Sequence, residues 1–145
     1  MMTQTARETL DAYIAFYRDA GPPDIDRLDA LTTPDVVFQD PFQTLDGRDA
    51  YKRLFHHMWA TTGQPRVTVH RTAWDGDTVF LRWRFELKVR GRWLPIEGVS
   101  EITFADDGRI CRHVDHWDAA SQVYGRIPGL GAVLRLIRRR LAAPA

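Results

Sequence analysis

The stretch Thr-Val-Phe-Leu-Arg-Trp-Arg-Phe-Glu-Leu-Lys-Val, residues 78–89, alternates apolar with mostly polar side chains along its whole length. A period of two is typical of a β-strand that buries one face. The turn sequence Asp75-Gly76-Asp77 precedes this strand and Gly91 follows it, as expected at hairpin turns. The sequence therefore predicts an antiparallel meander of four strands, over residues 66–74, 78–89, 92–105 and 109–118.

The residues before the meander follow a helical period. Leu10, Tyr13, Ile14 and Tyr17 lie at i, i+3, i+4 and i+7, which predicts a helix over 5–19. The predicted elements that follow are a short helix from Asp24 that ends before Pro34, a strand at Val36–Gln39 and a helix over 48–61. Helices that precede a meander indicate an α+β fold. We expect a cone-like barrel, in which a curved antiparallel sheet packs against the N-terminal helices and encloses a cavity.

Composition and charge limit the range of possible functions. A chain of 145 residues, 44% hydrophobic and 27% charged, fits one globular domain. Residues 1–125 form that domain in our prediction, and residues 126–145 form a helical extension of it. The extension carries five arginines and no acidic residue, whereas the rest carries 15 basic and 19 acidic residues. A body with a net negative charge argues against nucleic-acid binding.

The extension has an apolar stripe at helical spacing, formed by Leu130, Val133, Leu134, Ile137 and Leu141. Two interpretations of this basic amphipathic helix stay open. It could lie on a membrane surface, attracted by anionic lipid. It could instead pack over the barrel or a dimer partner, with its arginines in solvent. The polar N-terminus and the absence of a long apolar run favour a cytoplasmic location.

No metal site is expected. The single Cys111 excludes an internal disulfide and a thiolate zinc site. His113 and His116 are three apart on a strand and so lie on opposite faces. His56 and His57 are neighbours on a helix, about 100° apart, and cannot chelate one ion well. No glycine-rich phosphate loop or nucleophile elbow is present either.

Two aspartates lie in apolar strand segments about seventy residues apart. Asp40 ends the first segment, Val-Val-Phe-Gln-Asp-Pro-Phe, residues 36–42, and Asp115 lies within His-Val-Asp-His-Trp-Asp, residues 113–118. An apolar site disfavours the charged form of a carboxyl group, which makes it a plausible general base near neutral pH. Either residue could instead be structural, since Asp before Pro is a strong turn signal.

Strand alternation predicts which side chains of the last strand share a face. Cys111, His113, Asp115 and Trp117 fall on one face, and Ile110, Arg112, Val114 and His116 on the other. His113 would then lie beside Asp115, where it could orient the carboxylate or share a proton with it. The alternative is a structural pair in a wet cavity, without turnover.

The layout and these motifs resemble the nuclear-transport-factor-two-like superfamily, and within it the SnoaL-like and ketosteroid-isomerase-like branch. The residues that carry the resemblance are Asp40-Pro41 with Gly47, the meander, and the closing residues 113–118, and it covers roughly residues 5–120. The resemblance implies a cavity lined by the His113 and Asp115 face. This fold hosts isomerases, cyclases, dehydratases, epoxide hydrolases and proteins that are not enzymes.

The resemblance also suggests roles for single residues. Asp40 matches the strand-end base of the isomerase, and Tyr13 matches its oxyanion-hole tyrosine. Ser100 stands where the isomerase has a protonated aspartate. Asp115 matches the last-strand base of the SnoaL-like cyclases.

Together these observations predict a cofactor-independent acid–base enzyme of the isomerase, cyclase or dehydratase type, acting on a small hydrophobic carbonyl compound. Candidate catalytic residues are Asp115, Asp40, His113 and Tyr13, and candidate substrate-binding residues are Trp59, Trp83, Ser100 and Trp117. A homodimer is expected through the outer sheet face, where Phe80 interrupts charged residues. Two alternatives stay open: a non-catalytic binder of hydrophobic ligands, and a membrane-peripheral lipid-handling protein.

Overall fold

The structure is a computed structural model that describes residues 4–144. Its elements in chain order are α1 (Gln4–Asp19), a 3-10 helix (Pro22–Arg27), α2 (Leu28–Leu31), β1 (Thr32–Asp40), β2 (Gln43–Asp46), α3 (Arg48–Thr62), β3 (Arg66–Asp75), β4 (Thr78–Val89), β5 (Arg92–Phe104), β6 (Ile110–His116), α4 (Ala119–Gln122), a 3-10 helix (Tyr124–Arg126) and α5 (Leu130–Leu141). Residues 1–3 of the predicted domain (1–125) and residue 145 of the predicted extension (126–145) lie outside the described residues. That division stays a prediction.

The strands form one sheet in the order β2-β1-β6-β5-β4-β3. The predicted meander of β3 to β6 is confirmed, since each strand pairs antiparallel with the next. β1 pairs parallel with β6, and β2 pairs antiparallel with β1, so the sheet is mixed. Among the described residues its edges are β2 and β3, which do not pair with each other. The α+β class is therefore confirmed, with an open curved sheet.

The start of β1 and the whole of β2 differ from the prediction. The short helix ends at Leu31, and β1 begins at once, four residues before the predicted strand. Pro34 lies in a stretch of β1 where the register with β6 shifts between Thr32 and Val37. Proline cannot donate to a ladder, so such an irregular stretch tolerates it. β2 has only four residues, too few to show a period in the sequence.

The core lies between the inner face of the sheet and the helices α1 and α3. Tyr13 and Phe16 of α1 and Tyr51 and Phe55 of α3 are almost completely buried. The rings of Phe16 and Phe55 pack edge-on, with their centroids 5.0 Å apart. Burial of a large apolar side chain contributes about 1.5–3 kcal/mol. These four residues therefore hold both helices against the sheet and fix the inner end of the cavity described below.

A β-bulge changes the alternation of β6. Ile102 pairs with His113 and Phe104 with Ile110, so β6 has one more residue than β5 between these two pairs. Paired residues share a face, and Phe104 and Ile102 both belong to the core. The prediction that Cys111 shares the inner face is therefore wrong, and Ile110 takes that place, fully buried.

The outer face of the sheet is largely polar. Arg82 and Arg112 are exposed there, and Phe80 is 37% exposed among them. Val114, on the same face of β6 as Arg112, is nevertheless buried. The homodimer expected through this face stays a prediction.

Candidate active site

A cavity of about 440 Å³ lies between the inner face of the sheet, α1, α3 and the turn after β1. Most of its wall is apolar, with contributions from Ile14, Leu54, Leu81, Phe85 and Ile96. Among its polar residues, Asp115, His113 and Ser100 lie together beside two tyrosines. Small-molecule sites are commonly apolar clefts of this size with a few placed polar groups.

Asp115 is held by two hydrogen bonds that reach the same oxygen. Ser100 Oγ donates to Asp115 Oδ1 at 2.5 Å, and His113 Nε2 lies 2.6 Å from that oxygen. Trp83 Nε1 in turn donates to Ser100 Oγ at 2.7 Å. Asp115 Oδ2 receives no hydrogen bond from residues 4–144, and the carboxylate lines the cavity. One oxygen is thus fixed and the other is left for a ligand.

Behind His113 the network continues into the helices. Tyr13 Oη lies 2.6 Å from His113 Nδ1 and also contacts Tyr51 Oη. Tyr51 Oη lies 2.5 Å from Tyr17 Oη. Burial raises the pKa of all three tyrosines well above the ordinary value of 10.0. They therefore stay neutral at physiological pH and act as hydrogen-bond donors.

The donors can be counted along this network. A carboxylate only accepts hydrogen bonds, so with a neutral ring His113 carries its proton on Nε2 and donates to Asp115. His113 Nδ1 then accepts from Tyr13, which can accept from Tyr51. Tyr17 lies at the cavity wall and donates to Tyr51, because Tyr51 uses its single proton for Tyr13. With a neutral ring, all three hydroxyl protons are therefore used within the network.

We expect the three buried tyrosines to make the protein sensitive to alkali. Below about pH 10 they are neutral in both states, and above it the unfolded chain loses their protons while the folded chain keeps them. The stability is therefore lost as pH rises, by up to about 1.4 kcal/mol per pH unit for each tyrosine. Urea unfolding at about pH 8 and about pH 11 measures this loss in the free energy of unfolding. An equal loss in a variant with all three replaced by Phe would contradict this prediction.

Asp40 also lines the cavity, but its carboxylate is used by the turn after β1. Asp40 Oδ1 accepts from the backbone N–H of Phe42 at 2.8 Å and of Gln43 at 3.0 Å. Asp40 Oδ2 accepts from Gln43 Nε2 at 3.4 Å. Both oxygens thus have partners, as expected of an Asx-type turn. This geometry favours Asp115 over Asp40 as the group available to a ligand.

The four expected binding residues lie in different places. Trp83, Ser100 and Trp117 line the cavity. Trp59 packs against the rings of Phe16 and Phe55 and is not part of the cavity wall. His116 lies outside, exposed and 3.1 Å from Glu101, as the alternation of β6 predicts.

Gly98 makes room for the Trp83 side chain. A Cβ at Gly98 would come within 2.7 Å of the indole ring and 2.9 Å of the His116 carbonyl oxygen. The missing Cβ thus lets the indole lie over β5 and reach Ser100. We expect Gly98→Ala to lower the free energy of unfolding by about 1–3 kcal/mol, because a packed ring must move.

Chemical denaturation measures this change, and Gly21→Ala is the matched control. A Cβ at Gly21 would meet only Pro23, at 3.9 Å. It should change stability by under about 1 kcal/mol. Equal effects of the two substitutions would contradict the role given to Gly98.

Two members of the site, Tyr17 and Tyr51, are not among the candidate residues that the sequence predicts. The helical period places them only on the inner faces of α1 and α3. A signal is nevertheless present, because Tyr13 and Tyr17 are one helical turn apart and so lie on one face. Three of the four tyrosines in the chain fall on inward helical positions, where purely apolar packing would not require a hydroxyl group.

Comparison with known proteins places this fold and cavity in a family. Residues 11–113 match the SnoaL-like domain family. The chain belongs to this family. The match spans α1 to the middle of β6 and so includes Tyr13, Asp40, Ser100 and His113. No protein with a curated function matches the chain.

Several solved structures share the fold. An LEH-like epoxide hydrolase of M. tuberculosis is 24% identical, with a TM-score of 0.71, and the match covers 92% of this chain and 98% of that one. A Jannaschia protein named for a resemblance to SnoaL-like polyketide cyclases is 15% identical, with a TM-score of 0.69 and 99% of both chains covered. A Catenulispora acidiphila protein with a ketosteroid-isomerase-like fold is 18% identical, with a TM-score of 0.68 and coverage of 80% and 89%. These structures show a common fold, and the match to the SnoaL-like domain family confirms the expected SnoaL-like branch.

Proposed function

We propose that this SnoaL-like protein is a cofactor-independent acid–base enzyme that acts on a small hydrophobic carbonyl compound. The observation that carries the proposal is the asymmetric carboxylate of Asp115. Its Oδ1 is fixed by Ser100 and His113, and its Oδ2 faces an apolar cavity without a partner among residues 4–144. A base held in one orientation in an apolar site is suited to proton abstraction.

In the proposed step, Asp115 Oδ2 takes a proton from the carbon next to the ligand's carbonyl group. The C–H bond breaks, its electron pair forms the C=C bond of an enolate, and the carbonyl oxygen becomes negative. If a C=C bond adjoins the enolate, return of the proton to its far carbon gives an isomer. Attack of the enolate carbon on a second carbonyl group of the ligand instead closes a ring, and the alkoxide so formed takes the proton back from Asp115. Both outcomes regenerate the carboxylate and need no cofactor.

Tyr17 is the proposed donor to the enolate oxygen. Tyr13, Ser100 and His113 already have partners for their protons within the network. When both ring nitrogens of His113 carry protons, they donate to Asp115 and to Tyr13. Tyr13 then donates to Tyr51 and Tyr51 to Tyr17, which leaves the Tyr17 proton for the ligand. Burial is the main cause of the raised pKa of Tyr17, and Tyr13 and then Asp115 add to it. Tyr17 and Asp115 both line the cavity.

The test is exchange of the α-protons of cyclic ketones for deuterium from solvent, followed by NMR. Ketones that bind the wild-type protein are first selected from a panel by fluorescence, since Trp83 and Trp117 line the cavity. Exchange of at least one bound ketone above the buffer rate would support the proposal. Binding without exchange across the panel would contradict it and favour a protein that only binds hydrophobic ligands.

A further inference from the structure

The helix α5 has an apolar face that the domain does not cover. Leu130, Val133 and Ile137 are 42–54% exposed, and Leu141 is 82% exposed. α5 packs closely at Gly131, where a Cβ would come within 2.4 Å of the Gly125 carbonyl oxygen. Single exposed apolar residues are common, but a continuous stripe of them marks an interaction surface.

The arginines of α5 are arranged around this stripe. At 100° per residue, Leu130, Ile137 and Leu141 lie within about 20° of one line along the helix. Arg138 and Arg140 then fall about 80° to either side of that line, and Arg135 and Arg139 fall on the far side. A stripe flanked by long basic side chains lets the apolar residues insert while the guanidinium groups reach outward.

The charge of α5 favours an anionic lipid surface over a second copy of the helix as the partner of this stripe. Residues 126–145 carry five arginines and no acidic residue. Two copies of α5 packed face to face would bring Arg138 and Arg140 of each helix towards like charges. An anionic lipid surface instead offers an apolar layer for the stripe and negative headgroups for the arginines. No helix in residues 4–144 is long and apolar enough to cross a membrane.

We propose that α5 is a docking helix that lies in the surface of membranes containing anionic lipid. The helix begins close to the rim of the cavity. Tyr124, in the 3-10 helix before α5, packs against Phe42 with 6.2 Å between ring centroids, and Phe42 lines the cavity. Docking through α5 therefore brings the rim of the cavity near the lipid surface. The inference rests on α5 alone and stands whether or not the cavity is catalytic.

Sedimentation with vesicles tests this proposal on the full chain. We expect the wild-type protein to pellet with vesicles of phosphatidylcholine and phosphatidylglycerol, and not with phosphatidylcholine alone. Replacing Arg135, Arg138, Arg139 and Arg140 by Gln should weaken binding by roughly fivefold per arginine, whereas Lys at the same positions should retain it. Added salt should weaken binding as well.

The matched control removes four exposed arginines from the strands of the sheet, by changing Arg71, Arg82, Arg92 and Arg112 to Gln. It should pellet as the wild type does. Replacing Val133 and Ile137 by Ser should also release the protein from anionic vesicles. Failure of the wild type to pellet, or equal binding by both quadruple Gln variants, would overturn the proposal. A change from dimer to monomer in the Val133 and Ile137 variant, without lipid binding by the wild type, would assign the surface to a second copy.

Discussion

Replacing Asp115 by Asn should lower the rate of α-proton exchange by about 10²–10⁴-fold, because Asn cannot accept a proton as a base. The substitution is nearly isosteric. Its carbonyl oxygen can keep the hydrogen bonds from Ser100 and His113, and its amide group can take the place of Oδ2 at the cavity. Ligand binding and the free energy of unfolding should therefore change little. NMR exchange rates, fluorescence binding and urea unfolding measure the three quantities.

The matched control for this prediction is Asp40→Asn. Asp40 also lines the cavity, but its Oδ1 accepts two backbone N–H groups of the turn, which the Asn carbonyl can also accept. We expect little change in exchange rate. If Asp40→Asn lost the larger part of the activity and Asp115→Asn kept it, the base would be Asp40, as in the isomerase-like arrangement.

Replacing Tyr17 by Phe should lower the exchange rate by about 10²–10³-fold, the usual cost of removing one donor to an oxyanion. The ring stays, so its packing against Phe55 and Phe85 is preserved. The lost hydroxyl is the one that can donate to the ligand in the proposed step. The loss should appear mainly in turnover, because the donor matters most once the carbonyl oxygen becomes negative.

Tyr51→Phe is the control for Tyr17→Phe. It removes a hydroxyl of the same hydrogen-bonded cluster, but one that lies behind Tyr13 and Tyr17 and is not part of the cavity wall. A smaller loss is therefore expected. Equal losses in the two variants would mean that the cluster acts only by holding its members in place, and would remove the special role of Tyr17.

The fold could be predicted well from the sequence because its signals are local. The period of two over residues 78–89 and the turn at Gly76 define a meander whose strands are consecutive in the chain. The parallel pairing of β1 with β6 depends on contacts between distant residues, such as Phe38 with His113. No local pattern encodes such a pairing. This parallel pairing forms when the sheet curves around the core.

The candidate site could be predicted in part. Alternation was sufficient to place His113 beside Asp115, because no bulge lies between them. It was not sufficient for Cys111, since a bulge adds one residue without a clear mark in the sequence. The connection from His113 to Tyr13, Tyr51 and Tyr17 joins three elements. It depends on the exact rotation of two helices, which periodicity fixes only to within a face.

The central claim is that Asp115 becomes neutral while Tyr17 stabilises a negative oxygen. The most direct test is to measure the affinity for a series of apolar phenols of increasing acidity, because the phenolate ion imitates the enolate. The neutral amide introduced by Asp115→Asn imitates the protonated carboxyl group, so this variant should bind the phenolate more tightly than the wild type does, and adding Tyr17→Phe should abolish the gain. Equal phenolate affinity in the wild type and Asp115→Asn, or a gain that survives the loss of the Tyr17 hydroxyl, would contradict the account.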